Sequence, residues 1–233
     1  MKHYGLIGKH LEHSWSATYF ARKFAEEGID ADYRLIELNA LWEGIPADLD
    51  GYNVTIPYKQ AIIPYLDGLD AIATEIGAVN VVRKGIGYNT DWLGVVESLR
   101  GKIGVSGQSG KDEYSALILG RGGAAKAVQY ALKVMGVESE MIGAHGKIEA
   151  DISQYGLIVN ATPLGMYPEV DTYPDIDYQA VTPRHVLFDC VYNPEETEFM
   201  RRGKAQGAQV IGGLTMLQTQ AEASWRIWEK VEN

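Results

Sequence analysis

The chain has 233 residues and a formal net charge of -10, from 31 Asp and Glu against 21 Lys and Arg. Such a surface repels phosphate backbones unless its cations are clustered, and the absence of any Lys/Arg run argues against nucleic acid and membrane as partners. With 46% hydrophobic and 22% charged residues, the composition is that of a globular protein long enough for two small domains.

Cysteine and histidine usage limits the chemistry further. A single cysteine, Cys190, excludes an internal disulfide framework, and neither it nor the five histidines show the spacing of a metal site, so no metal is predicted. The first residues lack the apolar stretch of a signal peptide, and no run approaches the roughly 20 apolar residues that span a bilayer. We therefore expect a soluble protein in the reducing cytoplasm.

The first part of the chain alternates short apolar runs with helical patterns. The strand-like runs are YGLIG, DYRLIEL, YNVTI and AVNVVR, and the helical ones are SATYFARKFAEEG and YLDGLDAIATEIG. This alternation predicts βαβ units around a mostly parallel sheet. In GYNVTIPYK we expect the strand to end at Lys59, with Pro57 interrupting strand pairing just before it.

A Gly/Ser-rich segment from Gly101 to Ser115 interrupts the pattern, and a second βα series from ALILG to AQVIGG follows it. We place the domain boundary just before this segment, with the helix DWLGVVESL as the connector, and assign residues 1–95 and 96–213 to the two domains. A last helix over 214–231 has apolar residues at helical spacing and room to pack on the first domain. The predicted fold is two three-layer α/β domains, the second Rossmann-like, with a cleft between them.

A G-x-G-x-x-A pattern opens the second series. Gly120, Gly122 and Ala125 follow an apolar strand and begin a helical run, which is the context of a dinucleotide-binding turn, although a tight turn without a ligand explains it too. The end of the next strand carries no Asp, Glu or Arg, so NAD and NADP are not distinguished there. The cations nearby are Arg121, His145 and Lys147.

Three polar clusters have both a functional and a structural interpretation. Ser14 and Ser16, after the first strand, suit a carboxylate or phosphate, but Ser16 could simply cap a helix. Asp91, in GYNTDWLG, stands at the head of a helix, where an aspartate commonly acts as a cap. NATPLGM, from Asn160, follows a strand at the sheet edge where open α/β sheets bind ligands, or is only a proline-containing turn.

Taken in chain order, these segments resemble the shikimate dehydrogenases. The resemblance rests on YGLIG, HSWS, NVTIPYK, IGAVN, GYNTDWLG, LGRGGAAKA, IVNATPLGM, DCVYNPEETEF and GGLTMLQTQA, which run nearly from end to end in the family's order. It implies an N-terminal substrate domain, a C-terminal NADP-binding domain, and reversible reduction of 3-dehydroshikimate to shikimate on the chorismate route to aromatic amino acids.

The resemblance also implies site residues. It makes Lys59 the catalytic lysine and Asp91 its partner. The residues implied to bind substrate are Ser14, Ser16, Thr55, Asn80, Asp91, Tyr192 and Gln220. The residues implied to bind the cofactor are Gly120, Arg121, Gly122, Gly123, Ala124, Asn160, Thr162, Cys190 and Gly213. A monomer or a homodimer is expected, with small molecules as the partners.

The chain also departs from the family pattern. Ala17 stands where a proline is usual, Val81 where a threonine is usual, and the Asn-Arg-Thr loop that grips the adenosine 2′-phosphate has no counterpart. Two alternatives therefore stay open: a quinate/shikimate-type enzyme that uses NAD, and a non-catalytic sensor of shikimate-like acids on the same fold.

Overall fold

The computed structural model describes residues 1–12, 14–103 and 115–230. The strands are β1 (Lys2–Gly8), β2 (Ala31–Glu37), β3 (Gly51–Val54), β4 (Gly68–Leu69), β5 (Val81–Arg83), β6 (Ile86–Tyr88), β7 (Ala116–Leu119), β8 (Ser139–Ile142), β9 (Leu157–Asn160), β10 (Val186–Asp189) and β11 (Gln209–Ile211). The α-helices are α1 (Trp15–Glu27), α2 (Tyr58–Ala61), α3 (Ala71–Ile76), α4 (Asp91–Leu99), α5 (Gly123–Val134), α6 (Glu198–Ala205) and α7 (Leu214–Glu229). Most of the Gly/Ser-rich segment, at 104–114, and residue 231 of the predicted last helix lie outside the described residues.

The chain divides into two compact units. Unit 1 comprises Met1–Thr90 and Ala221–Asn233, and unit 2 comprises Asp91–Gln220. The division falls before α4, whereas the sequence prediction cut this helix after residue 95. The whole of α4 belongs to unit 2 because Val95 and Leu99 are buried in the core of that unit.

The sheet of unit 1 has the strand order β2-β1-β3-β5-β6-β4. β1 pairs in parallel with both β2 and β3, and β4 pairs in parallel with β6, which confirms the mostly parallel sheet. β5 and β6 form an antiparallel hairpin whose two turn residues, Lys84 and Gly85, both have positive φ (48° and 75°). That backbone is typical of a tight hairpin turn whose twist matches the strands, and it places β6 beside β5.

Aromatic side chains from both ends of the chain form one core of unit 1. Trp225 and Trp228 of α7 pack with Tyr4 of β1 and Phe20 of α1, and the rings of Tyr4 and Trp228 stack with centroids 4.8 Å apart. Trp228 Nε1 donates to the carbonyl oxygen of Val82 (3.1 Å), so its polar atom is satisfied inside the core. These contacts hold the end of the chain on the first sheet.

Unit 2 is a three-layer α/β structure. Its strands lie in the order β11-β10-β9-β7-β8 and pair in parallel throughout. Apolar side chains of α4 and α5 cover one face and those of α6 and the irregular segment before β10 cover the other, so the three central strands β7, β9 and β10 are buried on both sides. The chain runs outward from β7 to β8 and then returns to β9 on the other side of β7. The point between β7 and β9 is therefore the topological switch point, where open α/β sheets bind ligands.

Replacing Trp228 by alanine should destabilise unit 1 strongly. The side chain is 4% exposed and its ring stacks on Tyr4, so the change leaves a cavity and should lower the unfolding free energy by about 3–5 kcal/mol in urea denaturation. The matched control is Trp42→Ala, because Trp42 is 82% exposed and its loss should change stability by no more than about 0.5 kcal/mol. Equal effects of the two substitutions would contradict the assignment of Trp228 to the core.

Candidate functional site

Lys59 lies in the short helix α2 rather than at the end of a strand, so the expectation that the strand runs on to it is wrong. β3 ends at Val54, and the chain turns through Pro57 before α2 begins. The carbonyl oxygen of Lys59 accepts a hydrogen bond from the backbone N–H of Val79 (2.7 Å). The hydroxyl of the preceding residue, Tyr58, donates to a backbone carbonyl at 2.6 Å. The backbone that carries the half-buried lysine is therefore tied on both sides.

A buried polar network in unit 1 connects Asn53 of β3 with Asn80, which directly precedes β5. Asn80 Nδ2 donates to Thr90 Oγ1 (3.0 Å), and the backbone N–H of Thr90 donates to Asn80 Oδ1 (2.7 Å). Asn53 Nδ2 donates to the hydroxyl of Ser224 on α7 (3.0 Å), and the Ser224 and Thr90 hydroxyls are 3.3 Å apart. Because buried amides must find partners, these contacts fix the orientation of both asparagines. They also fix the backbone position of Thr90, which immediately precedes Asp91.

Ser14 and Ser16 stand at the start of α1. Ser14 is the N-cap residue, and its side chain makes no capping hydrogen bond, so the alternative that Ser16 caps the helix is wrong. Ser16 is buried, and its hydroxyl lies close enough to Tyr33 to lower the pKa of that side chain slightly. Burial has the larger effect and raises the pKa of Tyr33 well above its usual value, and the Tyr33 hydroxyl donates to Asn53 Oδ1 (2.8 Å). Ser16 therefore lies beside a tyrosine that bonds to Asn53.

The predicted site residues are divided between the two units. Asp91 is the first residue of α4, within the helix rather than before it, and is buried. Gln220 Nε2 donates to the carbonyl of Leu217 (2.9 Å), one turn earlier in α7. Unit 1 contains Ser14, Ser16, Thr55, Lys59 and Asn80. Unit 2 contains Asp91, Gly120, Arg121, Gly122, Gly123, Ala124, Asn160, Thr162, Cys190, Tyr192, Gly213 and Gln220.

The glycine turn after β7 lies at the switch point of unit 2. Gly120 has φ +120°, and a Cβ there would lie 3.0 Å from the carbonyl oxygen of Ala161, so this position needs glycine. Gly122 is the N-cap of α5, with nothing within 4 Å of where a Cβ would stand. The first turn of α5 contains no acidic residue. The unpaired N–H groups of a helix start and the open space at Gly122 fit the pyrophosphate of a dinucleotide.

The end of β8 lies beside this turn. The backbone N–H of Gly120 donates to the carbonyl of Ile142, the last residue of β8, at 2.8 Å. A Cβ at Gly143 would meet nothing within 4 Å, and the exposed Arg121 directly follows Gly120. This edge therefore has open space near a turn that carries a basic residue, Arg121.

The loop that follows β9 is held by the side chain of Asn160, the last residue of that strand. Asn160 Oδ1 accepts from the backbone N–H and the hydroxyl of Thr162 (3.1 and 2.6 Å). Asn160 Nδ2 donates to the carbonyl of Leu164 (3.1 Å). The methyl group of Thr162 lies 3.2 Å from where a Cβ of Gly120 would stand. The loop after β9 therefore packs directly against the glycine turn.

Gly213, just before α7, lies against the segment that follows β10. Its backbone N–H donates to the carbonyl of Val191 (3.1 Å). A Cβ at this position would stand 2.5 Å from the carbonyl oxygen of Cys190, so only glycine allows this approach. The loops after β7, β9 and β10 thus lie along one edge of the sheet, together with Gly213.

Asp189, the last residue of β10, was missed by sequence reasoning. It is 0% exposed and accepts hydrogen bonds from Asn160 Nδ2 (3.0 Å), from the backbone N–H of Val191 (2.9 Å) and from the hydroxyl of Thr197 (2.6 Å). Burial raises its pKa to about 6, and the three donors oppose that rise. The signal available in the sequence was a carboxylate that directly follows the apolar run HVLF.

The described residues contain neither a membrane-spanning helix nor a cluster of metal ligands. No helix in that part of the chain is long and apolar enough to cross a membrane. No group of three or more His, Cys, Asp or Glu side chains gathers there to hold a metal ion.

Replacing Asp189 by asparagine should change how stability depends on pH. Because the folded chain raises the pKa of this carboxyl from 3.8 to about 6, its ionised form costs stability above about pH 6, and that cost disappears as the pH falls through this window. The unfolding free energy of the wild type minus that of Asp189→Asn should therefore rise by up to roughly 3 kcal/mol between about pH 7 and pH 4. Urea denaturation across this range measures it. A difference that falls towards acid pH would contradict the raised pKa.

Comparisons with known proteins agree with this architecture. A family model described as the shikimate dehydrogenase substrate binding domain matches residues 6–82. Shikimate 5-dehydrogenase from Thermus thermophilus, solved in complex with NADP(H) and shikimate, has a TM-score of 0.84 and 29% identity, covering 99% of this chain and 94% of that one. Quinate dehydrogenase from Corynebacterium glutamicum, solved in complex with NAD, has a TM-score of 0.79 and 28% identity, with coverage of 99% and 94%.

The sequence relatives extend over the full length. The NADP(+) shikimate dehydrogenase of Clostridium beijerinckii is 36% identical, and the alignment covers 100% of this chain and 93% of the relative. That of Desulforamulus reducens is 33% identical, with coverage of 96% and 88%. Identity at this level along both units, together with the glycine turn at the switch point, shows that the chain belongs to the shikimate dehydrogenase family.

Proposed function

We propose that the protein catalyses the reversible, NADPH-dependent reduction of 3-dehydroshikimate to shikimate, an oxidoreductase reaction of chorismate and aromatic amino-acid biosynthesis. The observation that carries the proposal is the end-to-end identity with NADP(+) shikimate dehydrogenases. In this proposal unit 1 binds the substrate and unit 2 binds the dinucleotide. The protein works in the cytoplasm as a monomer or a homodimer.

Lys59 is the proposed proton donor. Bound NADPH supplies the hydride to the ketone carbon, which leaves negative charge on the carbonyl oxygen. An ammonium within hydrogen-bond reach of that oxygen donates the proton as the charge develops. The hydrogen bond from Val79 to the carbonyl of Lys59 and the anchored ring of Tyr58 restrict the backbone beneath the amine, which supports this role. Asp91 is its proposed partner and orients the amine.

The substrate is proposed to be held by hydroxyls and amides from both units. Ser14 and Ser16 would hold the carboxylate of the substrate. The remaining binding groups would meet the ring hydroxyls or the ring itself: Thr55, Asn80, Asp91, Tyr192 and Gln220. The fixed amide of Asn80 supports this, since its bonds to the hydroxyl and the backbone N–H of Thr90 hold the side chain in one orientation.

The dinucleotide is proposed to lie along the strand ends of unit 2. Gly120, Gly122, Gly123 and Ala124 would face the pyrophosphate, and Arg121 the adenosine 2′-phosphate. Asn160, Thr162, Cys190 and Gly213 would line the nicotinamide side. The turn at the switch point and the absence of an acidic residue in the first turn of α5 support this arrangement.

A quinate/shikimate dehydrogenase that uses NAD is the second candidate. The observation in its favour is the similarity to the NAD complex of a quinate dehydrogenase. Gly143 and Ala144, the two residues that directly follow β8, are also not basic. Turnover of shikimate and quinate with NADP and with NAD, measured side by side, decides between the two. Ligand-dependent melting without any turnover would instead favour the sensor alternative.

Replacing Lys59 by alanine should remove nearly all turnover without loss of folding. Loss of a proton donor in the transition state typically costs about 100-fold to 10,000-fold in rate, so kcat should fall by at least about 100-fold. The control is Lys2→Ala, because Lys2 is an exposed lysine of β1 in the same unit. Far-UV circular dichroism and the urea midpoint check folding. Wild-type turnover in Lys59→Ala would refute the assignment.

Replacing Arg121 by glutamine should weaken the binding of NADPH and leave the binding of NADH nearly unchanged. The guanidinium would bind the 2′-phosphate through charge-assisted hydrogen bonds, so the KM for NADPH should rise by at least about tenfold while that for NADH stays within about twofold. His145→Gln and Lys147→Gln are the matched controls, since both residues are exposed cations beyond the end of β8. An unchanged KM for NADPH in Arg121→Gln, with a rise in either control, would transfer the role to that residue.

A further inference from the structure

We propose that Asp189 is a positioning residue whose carboxylate holds the loops after β9 and β10 in a single arrangement and thereby shapes the nicotinamide half of the dinucleotide site. The inference rests on the proposed function, since it assumes that unit 2 binds the cofactor. It adds a residue that lies beneath the site and touches neither substrate nor cofactor.

The first step is the geometry around the carboxylate. Oδ1 accepts from Asn160 Nδ2 (3.0 Å) and from the backbone N–H of Val191 (2.9 Å), and Oδ2 accepts from the hydroxyl of Thr197 (2.6 Å). An ionised carboxylate only accepts hydrogen bonds, so all three groups must present their protons to it. One side chain therefore fixes the end of β9, the segment after β10 and the residue that caps α6.

The second step is the transmission to the loop after β9. Because Asn160 Nδ2 points at Asp189, Asn160 Oδ1 must face the other way, towards the N–H and hydroxyl of Thr162. The hydroxyl of Thr162 in turn accepts from the backbone N–H of Leu164 (3.1 Å). The carboxylate thus selects one orientation of the asparagine amide, and that orientation determines the course of the turn.

The third step is the transmission to the segment after β10. The N–H of Val191 is bound by Asp189, and its carbonyl accepts from the N–H of Gly213 (3.1 Å). Gly213 also approaches the carbonyl of Cys190 so closely that a Cβ would stand 2.5 Å from it. A shift of the Val191 peptide would therefore move Gly213 with it.

The fourth step assigns these loops to the nicotinamide side. In a dinucleotide fold the pyrophosphate lies at the glycine turn and the adenosine ribose lies at the end of the strand that follows, here β8. β9 and β10 lie on the opposite side of β7 from β8. The loops that Asp189 holds are therefore on the side away from the adenosine.

The fifth step is the cost of the arrangement. The carboxyl is fully buried, and burial of its ionised form carries a desolvation penalty that its three hydrogen bonds offset only in part. An asparagine has nearly the same shape, but its NH₂ group would replace one of the two accepting oxygens. That group would then face a partner that also donates a proton. Asp189→Asn would therefore keep the packing of the side chain but lose the single orientation of the loops.

The test compares both halves of the cofactor in Asp189→Asn. Calorimetry measures Kd for NADPH and for adenosine 2′,5′-bisphosphate, which carries only the adenosine half. We expect the Kd for NADPH to rise by at least about tenfold and that for the bisphosphate to stay within about twofold, because charged hydrogen bonds are about twice as strong as neutral ones and position only the nicotinamide loops. Hydride transfer should also become more rate-limiting in this variant. We therefore expect a lower kcat and a larger isotope effect when NADPH is compared with 4-deuterated NADPH.

Two further variants keep the test decisive. Thr197→Val removes one donor and leaves Asp189 in place, so it should shift the same quantities in the same direction, and Thr197→Ser should restore them. Asp177→Asn is the matched control, since Asp177 is an exposed helix-capping carboxylate of unit 2, and it should leave all of them unchanged.

The outcomes separate this proposal from the proposed function. Equal losses of affinity for NADPH and for the bisphosphate, or no loss of either, would overturn the role of Asp189. A wild-type protein that binds NADPH but reduces no 3-dehydroshikimate would count against the proposed function alone, because the two affinities still test Asp189. Wild-type binding of NADPH no tighter than of the bisphosphate would overturn the proposal for Asp189.

Discussion

Polar side chains buried at the ends of buried strands must find hydrogen-bond partners, and both units are organised around that requirement. In unit 2, Asn160 and Asp189 end neighbouring strands at 0% exposure, and their partners are the groups that form the loops beyond. In unit 1, Asn53 lies inside β3 and Asn80 directly precedes β5, and both buried amides are bonded to groups from other segments of the chain. Because an unsatisfied buried polar group costs roughly 1–3 kcal/mol, and a charged one more, the loops have little freedom to rearrange.

This requirement connects stability to the proposed chemistry. Lys59 and the residues proposed to bind substrate stand on backbone that these networks or the adjacent main-chain bonds hold in place. Asp189 shows the cost, since burial raises its pKa to about 6 and its ionised form therefore weakens the fold at neutral pH. A group that lowers stability yet binds three donors is expected where position matters more than stability.

Much of the fold was predictable because its sequence pattern is local. The alternation of apolar runs and helical patterns indicated both α/β units, and the glycine pattern after β7 indicated the turn at the switch point. The hairpin of β5 and β6 was not foreseen, since its strands are three residues each and too short for periodicity to be visible. Lys59 was expected at a strand end but lies in a four-residue helix, where Tyr58 is anchored by a contact 20 residues away in the chain.

The sequence by itself determined the family, the two-unit organisation and the residue types that the chemistry requires, because each of these is encoded in short motifs and in periodicity. Only the tertiary structure decided which polar groups share partners. Asn53 meets Ser224 from 171 residues away, and Asp189 meets Asn160 from 29 residues away. Neither pairing leaves a periodic or local trace, since a hydrogen bond between distant segments depends on how the strands are ordered in the sheet and on how the last helix returns to the first sheet.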